Sequence, residues 1–170
     1  MKAKTPATPK RQLDVVFEKY NAYYTNPVNR IIGFICIPII SFSIMAFVWS
    51  LPFPDLAFLG DKKGFLNWGS FFIAFTIYYY QRQSPILSYL MLLVVGAFAY
   101  FIVQLEYWQQ AGGMVLPQVC VILFVAANIL QFIGNKLERK KPVLFLDFKF
   151  LLISPLWLLS LILKKFNIKY

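Results

Sequence analysis

The residues of this chain that could do chemistry are amides and one arginine, placed where a polar stretch runs into an apolar one. In the stretch YYTNPVNRIIGFICIP, residues 23–38, the candidates are Asn26, Asn29 and Arg30. Amides both donate and accept hydrogen bonds, and a guanidinium can hold a carboxylate by two parallel bonds. The stretch therefore either binds a polar group at a membrane boundary or begins a helix, with Asn26 as N-cap and Pro27 in the first turn.

A second set of amides lies later in the chain, at Asn128, Gln131 and Asn135. Their spacing of i, i+3 and i+7 puts them on one face of a helix, and Asn26, Asn29 and Gly33 share that spacing. We expect the two faces to meet at one depth. Polar groups inside a membrane span are candidates for a functional site. The alternative is that these amides join helices by hydrogen bonds worth about 1 kcal/mol each.

The usual enzyme constellations are missing from the sequence. It contains no histidine, which excludes a Ser-His-Asp triad and an HExxH zinc motif. Cys36 and Cys120 have neither disulfide nor metal-site spacing, and we interpret them as small apolar residues. Glu138 and Asp147 flank a basic cluster, so we interpret them as ion-paired rather than catalytic. These residues alone predict no cofactor.

Composition predicts an all-α membrane protein. Of the 170 residues, 59% are hydrophobic and 14% are charged, whereas soluble domains carry about 25% charged residues. Several charge-free apolar runs approach the roughly 20 residues that cross a bilayer. The net charge of +10 comes from basic residues at the ends of these runs. Membrane topology and anionic lipid headgroups explain that placement, and nucleic acid is not an expected partner.

Four transmembrane helices are predicted, at residues 27–51, 65–80, 85–105 and 114–134. Residues 1–11 are expected to be a mobile basic tail, and 12–170 a single membrane domain. Within it, residues 12–24 form an amphipathic helix on the cytoplasmic interface, with an apolar stripe at Val15, Val16, Tyr20 and Tyr23. The positive-inside rule places both termini in the cytoplasm.

The last apolar run, residues 143–163, is interrupted at Ser154 and Pro155 and has basic residues at both ends. Basic residues on both sides favour a hairpin or an interfacial pair of short helices over a full crossing. A fifth span is the alternative. The oligomeric state is not indicated by any pattern in the sequence.

At its two polar clusters the chain resembles a family of small membrane-embedded proteins that includes Fe(II)-dependent 2-hydroxy fatty acid dioxygenases of fatty acid α-oxidation. In that family's first motif, the residues that this chain keeps are Tyr23, Asn26, Pro27, Asn29, Arg30 and Pro38. In the second, which stands here as QFIGNKLERKKPVL, the kept residues are Gln131, Phe132, Gly134, Glu138 and Pro142. The size and the spacing of apolar segments also agree.

This chain differs from the family at the positions where the family has histidines. At those positions this chain has Tyr24, Gly33 and Asn135. The resemblance implies that the histidines are the family's iron ligands. Imidazole suits Fe(II), whereas glycine offers no side chain. The resemblance therefore implies that the scaffold is kept and the metal centre lost, and whether the chain is an enzyme stays open at this point.

Three functions can be weighed on this basis. An active dioxygenase would use Fe(II) to cleave a 2-hydroxy fatty acid between C1 and C2, with Arg30 or Arg139 holding the carboxylate. A silent relative would bind membrane lipids, a 2-hydroxy fatty acid among them, or act as a scaffold, and would need no cofactor. Its polar cluster would consist of Asn29, Arg30, Asn128, Gln131 and Asn135.

We favour the silent relative, and a small transporter is less favoured because no predicted span carries an acid.

Overall fold

A computed structural model describes residues 11–54, 66–138 and 148–168, and every secondary-structure element in these ranges is an α-helix. The predicted all-α class is confirmed. The predicted tail lies outside the described residues except for Arg11. In chain order the helices are α1 (Gln12–Tyr23), α2 (Pro27–Trp49), α3 (Trp68–Gln83), α4 (Pro85–Gln110), α5 (Leu116–Leu137) and α6 (Phe148–Lys165).

Three of the described helices, α2, α4 and α5, are long and apolar enough to cross a membrane. Their mean hydropathies are 2.6, 2.5 and 2.1. The prediction of four such helices was too high, because α3 has only 16 residues. At a rise of 1.5 Å per residue it is about 24 Å long, short of the roughly 30 Å hydrocarbon layer. The sequence of α3 reads as apolar, but its last turn is polar and carries Arg82.

The helix starts follow the predicted capping chemistry. The Asn26 side chain accepts a hydrogen bond from the Val28 N–H at 2.9 Å, and Pro27 is the first residue of α2. The Ser84 hydroxyl likewise accepts from the Leu87 N–H at 3.5 Å at the start of α4. A proline costs little in the first turn because its missing N–H would have no helical partner there.

Helix α2 lies at the centre of the bundle and makes its most extensive contacts with α5. Gly134 of α5 permits this close approach, since a Cβ at that position would meet Asn29 Oδ1 and lie 3.2 Å from two carbons of the Ile32 side chain. The backbones therefore approach where the two polar clusters lie.

Helix α1 confirms the predicted element, but its buried face differs from the predicted stripe. The buried residues are Leu13, Phe17, Tyr20 and Tyr23, while Val15 is 40% exposed. The buried set follows i, i+4, i+7 and i+10, which is a helical period that excludes Val15. Tyr20 stacks on Trp157 of α6 with ring centroids 5.1 Å apart. The apolar face of α1 is thus covered by protein.

The described part of the last apolar run is one helix, so the predicted hairpin is wrong over residues 148–165; residues 143–147 lie outside the described residues. Pro155 removes the N–H that would bond the Leu151 carbonyl. The Ser154 hydroxyl donates to that carbonyl at 2.8 Å instead. Tyr80 of α3 donates to the neighbouring Leu152 carbonyl at 2.6 Å. These two hydrogen bonds let the helix continue through the proline.

Candidate functional site

The carboxylate of Glu138 ties the end of α5 to the start of α2. It accepts hydrogen bonds from Thr25 Oγ1 at 2.5 Å, the Asn26 N–H at 2.7 Å and Asn29 Nδ2 at 3.2 Å. Glu138 is only 9% exposed. The start of α2 and the end of α5 are therefore in direct contact at their polar residues.

The described partners of Glu138 are neutral donors. The ion pair that the sequence suggests stays a prediction, because Arg139, Lys140, Lys141 and Asp147 lie outside the described residues. Burial acts to raise the pKa of the Glu138 carboxyl, but the three hydrogen bonds outweigh it and hold the pKa below its usual value. The group is therefore ionised at neutral pH.

The ring of Tyr24 occupies the space beside Gly33. A Cβ built on Gly33 would lie 2.8 Å from Tyr24 Cε1, closer than carbon atoms pack. The Tyr24 hydroxyl accepts a hydrogen bond from Gln131 Nε2 at 2.6 Å. Trp157 stacks on the same ring at a centroid distance of 4.9 Å. Tyr24 is thus fixed on several sides in the place that a side chain at position 33 would fill.

Asn135 completes the convergence. Together with Tyr24 and Gln131 it lines a cavity of about 10 Å³, whose other lining residues are Tyr20, Tyr23, Ile37 and Ser154. Gln131 is 2% exposed and Asn135 is 5% exposed. Tyr24 and Asn135 therefore line the same cavity, and Gly33 lies against the Tyr24 ring.

Three buried amide oxygens in this region have no hydrogen-bond donor among the described residues, namely Asn29 Oδ1, Gln131 Oε1 and Asn135 Oδ1. A buried acceptor without a donor costs on the order of 1–3 kcal/mol. Amides that only join two helices would have their oxygen atoms paired. Three oxygens without a donor among the described residues, all in one region, therefore set this cluster apart from such a connection.

Two of the predicted site residues lie apart from the cluster. Asn128 donates to the Phe124 carbonyl one turn earlier at 2.7 Å, so it bonds its own helix. Arg30 is exposed. Sequence reasoning missed Thr25, Tyr20, Ser154 and Trp157. Thr25 adjoins the N-cap and Tyr20 lies one turn before Tyr24, which are weak signals; Trp157 comes from a distant helix and has none.

The residues at this site do not fit iron. Non-haem Fe(II) sites use imidazole and carboxylate ligands. Burial raises the pKa of the Tyr24 phenol, so it remains a neutral hydroxyl rather than a phenolate. Position 33 has no side chain, Asn135 offers only an amide, and the carboxylate of Glu138 is already held by three donors.

A double-mutant cycle tests the contact between Tyr24 and Gly33. We expect Gly33→Ala to destabilise the protein by about 1–3 kcal/mol, because the added methyl group overpacks against the Tyr24 ring. In the background of Tyr24→Ala the same change should cost much less, since the ring has been removed. Thermal unfolding of the four proteins in detergent gives the coupling energy. Strictly additive effects would show that the ring does not occupy this space.

Taken together, the fold and the site define a small helical membrane protein with a buried polar cluster joining two of its apolar helices. The family model described as 2-hydroxy-palmitic acid dioxygenase Mpo1-like matches residues 11–166, and the chain belongs to this Mpo1-like family. This confirms the resemblance found in the sequence. No curated protein and no solved structure gives a significant match to the chain.

Proposed function

We propose that this chain is a catalytically silent member of the Mpo1-like family that binds membrane lipid or serves as a scaffold. One observation carries the proposal: the Tyr24 ring fills the space where position 33 would present a ligand, and Gln131 holds the Tyr24 hydroxyl. The polar cluster is a hydrogen-bonded connection between α2 and α5. In this proposal the cluster holds the helices of the family's fold together, and the residues that would bind a metal are absent.

An apolar groove supports the lipid-binding part of the proposal. It is a shallow, open groove with a volume of about 450 Å³, lined by residues of α2, α4 and α5 that include Phe42, Phe98, Phe101 and Leu123. Helices α4 and α5 make few direct contacts with each other, so the groove opens between them. Since all three helices have the composition of membrane spans, a lipid acyl chain is the occupant that this groove suits.

We also propose that the chain crosses the membrane several times with both termini in the cytoplasm. The start of α2 meets the end of α5 through Glu138, and the end of α2 meets the end of α4, where Trp49 Nε1 donates to Glu106 at 3.2 Å. Helix α3 would then return the chain across the membrane, although it is shorter than the hydrocarbon layer. With Cys36 and Cys120 replaced by serine, a cysteine at the exposed Ala111 should be labelled only from the side opposite the termini, and labelling from the cytoplasmic side would refute this topology.

The activity itself is tested with the purified full-length chain, a long-chain 2-hydroxy fatty acid, Fe(II) and oxygen. We expect no product shortened by one carbon above the no-protein background. The alternative, an active dioxygenase with a non-histidine metal site, is favoured by family membership and by the retained Asn29 and Glu138. Repeated turnover would establish that alternative and overturn the silent relative.

The groove is tested with a photoactivatable fatty acid in lipid nanodiscs. We expect Leu123→Trp to lower labelling of the lining residues several-fold, because the indole fills the groove. Leu93→Trp is the matched control, since Leu93 is 72% exposed on α4 and is not among the groove's lining residues. Equal labelling of the two variants would show that the groove does not hold the acyl chain.

A further inference from the structure

The small cavity beside Tyr24 is lined by buried polar side chains, which is typical of a specific binding site. Gln131 and Asn135 line it, both are more than nine-tenths buried, and an amide oxygen of each lacks a donor among the described residues. At about 10 Å³ the cavity has room for one particle of the size of a water molecule. An occupant of the cavity must therefore either donate hydrogen bonds to the Gln131 and Asn135 oxygens or bind them as a positive ion.

The lining residues offer neutral oxygen atoms. Besides the two amides, four lining residues carry hydroxyl groups, which are Tyr20, Tyr23, Tyr24 and Ser154. Neutral oxygens can replace the hydration shell of an alkali ion, as carbonyl oxygens do in potassium channels. They do not suit transition metals, which favour imidazole and thiolate. We propose that this cavity binds a monovalent cation of the size of sodium.

The electrostatic surroundings favour a cation over a water molecule. A single water molecule could donate to both Gln131 and Asn135, so the charge near the cavity is what distinguishes the two occupants. The buried Glu138 carboxylate accepts from Asn29 Nδ2 and so places a negative charge next to the cluster. The nearby described basic residues Arg30 and Lys136 are exposed. A cation in the cavity is attracted by this charge and can bind several oxygens at once.

A sodium site goes beyond the proposed function, and it rests on that function only in requiring that no iron is bound at Tyr24 and Asn135. Trp157 stacks on Tyr20 and Tyr24 with centroid distances of 5.1 and 4.9 Å. Because the chain has four tryptophans, a fluorescence change reports on the cavity wall when Trp157→Phe removes it. The full-length chain is titrated with sodium chloride against choline chloride at constant ionic strength. Sodium is expected to raise the Tm saturably, by about 3–6 °C at ten times its Kd, and to change the fluorescence over the same range.

Two variants on one helix separate the cavity from general salt effects. Asn135→Leu removes a cavity oxygen and should abolish the sodium-specific shift. Asn128→Leu removes an amide that bonds its own helix and should keep the shift. If Asn135→Leu does not fold, saturable binding of ²²Na⁺ to the wild-type chain, displaced by unlabelled sodium and not by choline, decides the question. Equal effects of sodium and choline with no saturable ²²Na⁺ binding would overturn the proposal and leave a water molecule as the occupant. Neither result depends on fatty acid turnover, which is measured separately.

Discussion

Gly134→Ala is expected to lower the stability of the protein by about 3 kcal/mol, the upper end of the cost of overpacking. The added Cβ would meet Asn29 Oδ1 and crowd Ile32, where α2 and α5 pack most extensively. Separating the helices there also weakens the hydrogen bond from Asn29 to Glu138. Thermal unfolding in one detergent, with loss of helical circular dichroism as the signal, measures the effect.

Gly96→Ala is the control for that experiment. Gly96 lies in α4, and a Cβ at this position would meet no atom within 4 Å. Its Tm should stay unchanged or rise slightly, because alanine is the better helix former. If both alanine variants unfold at the same temperature, the close contact between α2 and α5 does not exist as described.

The second large effect is expected at Glu138. Glu138→Leu removes the acceptor of three hydrogen bonds and leaves the Thr25 hydroxyl, the Asn26 N–H and the Asn29 amide without their partner. The Asn29 amide is buried, and an unsatisfied buried donor costs about 1–3 kcal/mol. Water can replace the carboxylate at the exposed Thr25 hydroxyl and the half-buried Asn26 N–H, so we expect a total loss of about 3 kcal/mol. Glu138→Gln should lose less, since its amide oxygen still accepts. Equal stability of wild type and Glu138→Leu would contradict the role of this carboxylate.

The same carboxylate predicts a pH dependence. Its pKa in the folded protein lies below its usual value, so the native state favours the ionised form. This contribution is fully present above the unfolded pKa, near 4.3, and is lost as the pH falls below that value towards the folded pKa. The Tm of the wild type should therefore fall more steeply between about pH 5 and pH 3 than that of Glu138→Gln.

Asp14→Asn provides the comparison for the pH series. Asp14 pairs with Arg11 at 3.0 Å on the exposed end of α1, and such surface pairs contribute little to stability. Its pH profile should follow that of the wild type. A profile of Glu138→Gln that also follows the wild type would mean that Glu138 does not couple folding to pH.

Local chemistry explains which parts of the fold could be predicted from the sequence. The starts of α2 and α4 depend on adjacent residues, Asn26 with Pro27 and Ser84 with Pro85, and both predictions hold. The meeting of the α2 and α5 amides follows from helical spacing and a shared depth. The face of α5 was predicted correctly at Gln131 and Asn135 but not at Asn128, because an amide can also bond the carbonyl one turn earlier in its own helix.

The remaining features depend on contacts between distant residues. The interruption expected at Pro155 does not break α6: the Ser154 hydroxyl donates to the carbonyl that the proline leaves free, and Tyr80 from α3 donates to the next carbonyl. The packing of the Tyr24 ring beside Gly33 could not be predicted from the sequence either, since it depends on how α1 turns into α2 and on the stacking of Trp157. Composition gave the class of protein, but the short α3 shows that an apolar segment need not reach full spanning length.

The proposed function depends most on Tyr24, Gly33 and Asn135 not holding iron, with the Tyr24 ring packed beside Gly33 and its hydroxyl bonded to Gln131. The direct measurement is the iron content of the purified chain after anaerobic loading with Fe(II) and removal of unbound metal, determined by mass spectrometry of the element. We predict iron no higher than in a protein-free detergent control. Iron near one atom per chain, together with turnover of a 2-hydroxy fatty acid, would contradict the account.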